Sequence, residues 1–150
     1  MLLTILRPSL VYGPEVKGHI KLMQKAISQG WFPPLPKTHN KKSMVHVDDL
    51  SRVIFFLLQN NKENGKVFIA SDGIEYSTYD IYSTLCDVAD KKIPSWSIPK
   101  EIFSILSMLS PYFSNKLEKL LGNDYHSSSE LNNLGFRPVF TLKDINEKMF

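Results

Sequence analysis

The chain opens on a run, Leu2 to Leu6, that holds no charge and ends at Arg7 and Pro8. Such a run predicts a strand covered on both faces, as in a parallel sheet. Lys66 to Ala70 predicts a second strand, and Met44 to Val47 a short third. A strand this apolar needs neighbours on its flanks, so the pattern predicts an interior ribbon of a larger sheet, most of which is missing. Between the strands the apolar period changes to that of a helix. Ile20, Met23, Ala26 and Ile27 share one face, stopped by Gly30, and Leu50, Val53, Ile54, Leu57 and Leu58 form a second stripe. Ser77 with Asp80 predicts a capping box ahead of a third helix through Ile81, Leu85, Val88 and Ala89. Pro99 suits the first turn of a fourth, with Ile102, Phe103, Leu106 and Leu109 at helical spacing until Pro111. A short helix at Leu117 to Leu121, a turn at Gly122, a serine-capped turn ending at Gly135 and a final helix capped by Thr141 with Asp144 complete the pattern.

Composition narrows the class. With 150 residues, 43% apolar and 22% charged, the chain suits one soluble globular domain or a large piece of one. A net charge of +3 fits a small anionic ligand. Nucleic acid is not expected, because the densest basic stretch, Lys37 to Lys42, has neither interleaved aromatics nor helical periodicity. Cys86 is the single cysteine, which excludes an internal disulfide framework and points to a reducing cytoplasm. Apolar runs such as Val53 to Leu58 fall far short of a bilayer span, and the start lacks the basic region and cleavage site of a signal peptide. The Ile102 to Leu109 helix carries Ser104, Ser107 and Ser110 and no basic face, so it reads as a buried helix of the lobe and no membrane contact is expected.

Most catalytic signatures are absent. Gly65 and Lys66 lack the remaining residues of a phosphate-binding loop, and His19, His39, His46 and His126 have no metal-ligand spacing. No Gly-x-Ser-x-Gly elbow is present. Asp48 and Asp49 stand where a helix begins and are expected to cap it. His46, between Val45 and Val47, is expected to be a packed, hydrogen-bonded histidine.

Four segments in order carry a resemblance. Ile5-Leu6-Arg7-Pro8-Ser9-Leu10-Val11-Tyr12-Gly13-Pro14 resembles the late Rossmann strand and following turn of the extended short-chain dehydrogenase/reductase family, in particular its nucleotide-sugar epimerases and dehydratases. Lys41 to Leu50 is similar to that family's Arg-x-x-Val-His/Tyr-Val-x-Asp-Leu segment. Val67 to Gly73 followed by Ser77 resembles its last sheet strand, and Leu134-Gly135-Phe136-Arg137-Pro138 with Thr141-Leu142 resembles its tail.

The resemblance implies an α/β fold: the last strands of a Rossmann-type parallel sheet plus a mostly helical carboxyl-terminal substrate-binding lobe. Residues 1–150 would be the carboxyl-terminal part of an NAD(P)-dependent epimerase or dehydratase, of the UDP-glucose 4-epimerase kind, with the coenzyme-binding half absent. The glycine-rich coenzyme turn, the catalytic Ser or Thr and the Tyr-x-x-x-Lys pair precede the Arg-Pro strand in that family. None occurs before Arg7 here, and Tyr76, Tyr79 and Tyr82 have no lysine four residues on. No catalytic or metal-binding residue is therefore assigned. The resemblance places Pro8 and Ser9 beside NAD or NADP in the intact enzyme, with no coenzyme held by this chain alone. It places Leu10, Gly18, His19, Ile20, Leu35 and Lys42 around a nucleotide-diphosphate sugar. Lys42 falls where many relatives carry an arginine on the diphosphate, and supplies the charge without the bidentate fork. The Gly18-His19-Ile20 stretch opens a helix whose free N–H groups suit an anion. The implied partner is the missing amino-terminal Rossmann half, and the implied setting is cytoplasmic synthesis of lipopolysaccharide or capsule sugars; the open apolar edge of the first strand itself predicts masking by a homodimer or by an unusual local fold. The competing readings are a non-catalytic remnant or binding module of that family, and a steroid- or flavonoid-type reductase with a greasier pocket.

Overall fold

In the computed structural model, residues 3–15, 17–60, 65–99, 102 and 118–145 are described. Strand β1 (Ile5–Pro8) pairs in parallel with β4 (Val67–Ala70), Ile5 opposite Val67 and Pro8 opposite Ala70. The chain then steps sideways at Ser9 into β2 (Leu10–Tyr12), which pairs in parallel with β3 (Met44–His46). Two short parallel pairs joined by helical crossovers make an α/β arrangement matching part of a Rossmann-type sheet, as the sequence implied. β2 was not foreseen; Val11 and Tyr12 were read as a turn.

The first strand departs from expectation. It begins at Ile5, and its pattern is largely exposed: Leu3 is 54% and Ile5 41% accessible. Only Leu6 turns inward, against Val45, Val53, Phe68, Ala70, Leu131 and Phe136. The physical reason is that strand side chains alternate between two faces, and among the described residues only the face of Leu6 is covered, by that apolar cluster.

Helix α1 (His19–Ser28) buries Ile20, Met23, Ala26 and Ile27 and stops at Gly30, whose φ of 76° favours glycine. Helix α2 (Val47–Gln59) buries Val53 with Leu50 and Leu57 half-buried, while Ile54 and Leu58 of the expected stripe stay exposed, as does Phe55. Its cap is also not the expected one. His46 Nδ1 accepts the Asp48 N–H, so neither aspartate caps; both lie in the first turn, where the helix dipole favours them. Helix α3 (Thr78–Val88) starts with the capping box of Ser77 and Asp80 as expected.

The fourth predicted helix lies outside the described residues apart from Pro99 and Ile102. Ser129–Asn133 forms the short helix α4, which ends before Gly135. The serines act less directly than expected: Ser128 makes no side-chain cap, and Ser127 Oγ accepts from Ser129 N–H. Thr141 and Asp144 do form a capping box, on the three-residue 3-10 turn Leu142–Asp144. Two apolar clusters result. One gathers Tyr12, Ile20, Ile27, Leu35, Met44, Ile81, Leu85 and Leu142 between α1, α3 and the β2–β3 pair. The other sits under β1, β4 and α2, where Phe68 is fully buried, a burial that stabilises by about 1.5–3 kcal/mol.

Candidate functional site

The β2–β3 pair brings several sequence-selected residues together. At Ser9 the backbone N–H and Oγ both donate to the Ala70 carbonyl, at 3.0 and 2.8 Å, locking the step between the two strand pairs. The next N–H, of Leu10, donates to Ser43 O at 3.2 Å, which sets Leu10 beside the segment carrying Lys42. Leu10, half-buried, packs on the cluster containing Ile20 and Leu35. The side chains of Ile20 and Leu35 are themselves buried in that cluster, whereas Gly18 and His19 are exposed at the amino end of α1. That helix start has neither a side-chain cap nor an acidic residue in its first turn, which leaves its N–H groups and positive end open. Pro8 ends β1 without an N–H to offer.

Lys42 is buried rather than displayed. Its backbone exchanges hydrogen bonds with Tyr76 at 2.7 and 3.0 Å, and its Nζ donates to the Lys119 carbonyl at 2.8 Å. Burial lowers its pKa from the ordinary lysine value, and the nearby Asp124 carboxylate opposes the shift.

Sequence reasoning missed the polar layer beneath this surface. Asp72 Oδ2 accepts the Tyr76 hydroxyl at 2.6 Å and Oδ1 accepts the Ile74 N–H at 3.0 Å, while Tyr76 Oη in turn accepts Leu142 N–H at 3.1 Å. Burial raises the Asp72 pKa above the usual carboxylate value, against the lowering effect of the Tyr76 hydrogen bond. Burial and the Asp72 bond push Tyr76 well above the ordinary tyrosine value. Asp49, fully buried, accepts N–H groups of Val139 and Phe140, each at 2.9 Å, and pairs with Arg52. Asp49 thus anchors the tail, a role that corrects the expected cap.

Gly13 shows why this turn is tight. With φ at 129°, a Cβ there would meet Val47 Cγ1 at 2.7 Å and His46 Nε2 at 3.0 Å, so glycine alone fits. His46 is packed and hydrogen-bonded as expected. Because Nδ1 accepts the Asp48 N–H at 3.2 Å, the ring hydrogen sits on Nε2; the Asp48 carboxylate, 3.6 Å from Nδ1, is too far to claim it. His46 Nε2 and the Tyr12 hydroxyl are buried without a hydrogen-bond partner among the described residues. Burial, then the Asp72 charge, drives the Tyr12 pKa far up, so its phenol stays protonated. Neither a cluster of metal-ligating side chains nor a helix long and apolar enough to cross a membrane occurs among the described residues.

No family model matches the chain. A UDP-glucose 4-epimerase of Vibrio cholerae is 31% identical, over 96% of this chain and 44% of that protein. An N-acetyl-α-D-glucosaminyl-diphospho-ditrans,octacis-undecaprenol 4-epimerase of Escherichia coli O157:H7 is 29% identical, over 85% of this chain and 37% of that protein. Among solved structures, a human epimerase family protein solved with NADPH shares the fold at a TM-score of 0.75 and 14% identity, over 97% of this chain and 47% of that one. The chain spans less than half the length of the curated relatives it matches.

Proposed function

Since this chain belongs with the nucleotide-sugar epimerases and dehydratases of the extended short-chain dehydrogenase/reductase family, we propose that it is the part of such an enzyme that holds the sugar diphosphate. The observation that supports this reading is that Leu10 packs on the cluster holding Ile20 of α1 and Leu35 and bonds to Ser43, next to Lys42, while the α1 amino end is uncapped. A diphosphate needs cations and N–H donors, and a flat base needs apolar or backbone walls. On this reading Lys42 trades the Lys119 carbonyl for the diphosphate, the N–H groups after Gly18 meet the same anion, and His19, Ile20, Leu35 and Leu10 border the nucleoside and sugar. The missing half then lies against the exposed outer side of β1, where Leu3 and Ile5 are open, and a second copy covers it when that half is lacking.

NAD or NADP in the intact protein supplies the hydride chemistry. Pro8 and Ser9 do not amount to a coenzyme site by themselves. Pro8 has no N–H, and both donors of Ser9 are spent on Ala70. This chain alone accordingly binds nicotinamide coenzyme weakly or not at all and turns over no UDP-sugar; turnover by the purified chain would refute the reading. The same diphosphate chemistry serves a sugar carried on a polyprenol, the class in the name of the E. coli relative.

Calorimetric titration with UDP-glucose, UDP, UMP and a micellar polyprenyl diphosphate separates these cases. UDP is expected to bind at least about tenfold more tightly than UMP, as a charge-assisted contact to the second phosphate requires, and Lys42→Met should erase that difference. A chain that binds no diphosphate, or binds UMP as well as UDP, overturns the proposal.

A further inference from the structure

From Val16 to Val47 the chain carries six lysines and no Asp or Glu. Lys17, Lys21, Lys25 and Lys37 among them form no ion pair within the described residues, whereas Lys41 pairs with Glu75 and Lys42 is buried. Within this stretch α1 turns its apolar side to the core, yet its outer side is not simply polar. Leu22, Lys25 and Gln29 lie at i, i+3 and i+7 on one face, and Leu22 is 65% accessible. Gln29 Oε1 accepts the Trp31 indole N–H at 2.8 Å, which holds that ring over the same face with 68% of its surface in solvent. The root of Trp31 is fixed, because the neighbouring Phe32 stacks on Tyr82 of α3 with ring centres 5.7 Å apart. Trp96, 63% accessible, arrives on the segment that follows Lys91 and Lys92, and that segment bonds back to the same loop through Ile98 N–H to Pro34 O at 3.2 Å. Both tryptophans of the chain thus stand outward around one loop.

We propose that this lysine–tryptophan face rests on an anionic membrane surface, with Trp31, Trp96 and Leu22 at headgroup depth and Lys21 and Lys25 against lipid phosphates. The inference goes beyond the sugar-diphosphate reading and does not depend on it. Trp is favoured at the membrane interface because it is apolar in body and polar at one edge, and lysines add attraction to anionic lipid. A protein partner fits less well, since protein interfaces are depleted in lysine and this face is rich in it. The expectation of no membrane contact rests on span length and on the Ile102 to Leu109 segment, which are separate from this loop.

Because Trp31 and Trp96 are the only tryptophans, their emission reports this face alone. Adding phosphatidylcholine vesicles that contain phosphatidylglycerol to the purified chain should shift that emission to the blue, and raising the salt should reverse the shift. Lys21→Gln with Lys25→Gln should weaken co-sedimentation with those vesicles about thirtyfold, since each surface lysine contributes a factor of about five. Trp31→Ser with Trp96→Ser should weaken it further while leaving the melting curve in place, since both side chains are exposed. An unshifted emission, equal binding to pure phosphatidylcholine, or lipid-free self-association that Trp31→Ser with Trp96→Ser abolishes would overturn the proposal; the last outcome makes the face a protein interface. None of these outcomes bears on the sugar-diphosphate reading, which the UDP titration tests separately.

Discussion

The first strand and the tail meet the same structure from opposite ends of the sequence and are held in opposite ways. Ile5 to Pro8 is tied by one ladder to β4, with Leu3 and Ile5 facing outward. The stretch 139–145 has little regular structure, yet its polar groups are gripped: Asp49 takes two N–H groups, Tyr76 takes a third from Leu142, and Asp144 takes the N–H and hydroxyl of Thr141. Arg52 adds a contact over the Phe136 ring at 5.4 Å as well as its pairing with Asp49. Regular structure with an open apolar flank is a request for a partner, whereas irregular structure with its donors satisfied is complete within the chain. The difference teaches that in this protein the secondary-structure pattern marks where the fold continues, and buried polar pairs mark where it closes.

The comparison breaks most severely at Asp49. Asp49→Ala strands the Val139 and Phe140 N–H groups, at a cost of about 1–3 kcal/mol each, and leaves the half-exposed Arg52 without its carboxylate. For a chain this long the melting temperature should fall by roughly 10 °C. If calorimetry shows Asp49→Ala melting with the parent, the tail is not held as described.

Tyr76→Phe is the next step down. It removes the hydroxyl that binds Asp72 and accepts from Leu142, at a cost of about 1–3 kcal/mol in a urea titration. The pH dependence has a definite sign. Burial raises the folded-state pKa of Asp72 above the 3.8 of an unperturbed aspartate, and the Tyr76 bond offsets part of that. A raised carboxylate pKa means the folded state is penalised as pH climbs from 3.8 through the folded value. Without the hydroxyl the folded pKa rises further, so the gap between parent and Tyr76→Phe should widen as pH climbs through the raised folded-state pKa of Asp72 in the parent and be smaller at pH values below it. A gap independent of pH would show that the two groups are not coupled.

How much of this was legible follows from range along the chain. The faces of α1 and α3, the Ser77–Asp80 box and the Gly30 stop rest on residues within a few positions of one another, and each appears as the spacing implies. β4 was legible as a compact β-rich run. β2 was not, because three residues between Ser9 and Gly13 are too few to show alternation. His46 as the cap of α2 was hidden behind two better-known capping residues, and the grip of Asp49 on residues 90 and 91 positions away leaves no mark in local sequence. At the candidate site the sequence named Lys42 but not its burial, since the bond to Lys119 joins segments 77 residues apart. The exposure of β1 was likewise unreadable, because an apolar run states what a strand needs and not what covers it.

The smallest expected effect on stability sits at β1, and it sharpens the contrast most. Ile5 points outward and contributes little to the interior, so Ile5→Lys should leave the unfolding free energy within about 0.5 kcal/mol of the parent. A charge placed on an open strand flank does, however, block edge and face association. The parent chain should therefore sediment faster as its concentration rises, and Ile5→Lys should remain a monomer over the same range. Were the parent also monomeric throughout, the flank would need no cover, and the open side of β1 would no longer argue for a docking half. Were Ile5→Lys to unfold the chain instead, the strand would be an internal support like the Asp49 grip. Only unchanged stability together with lost association fits a strand whose remaining partner lies outside its own fold.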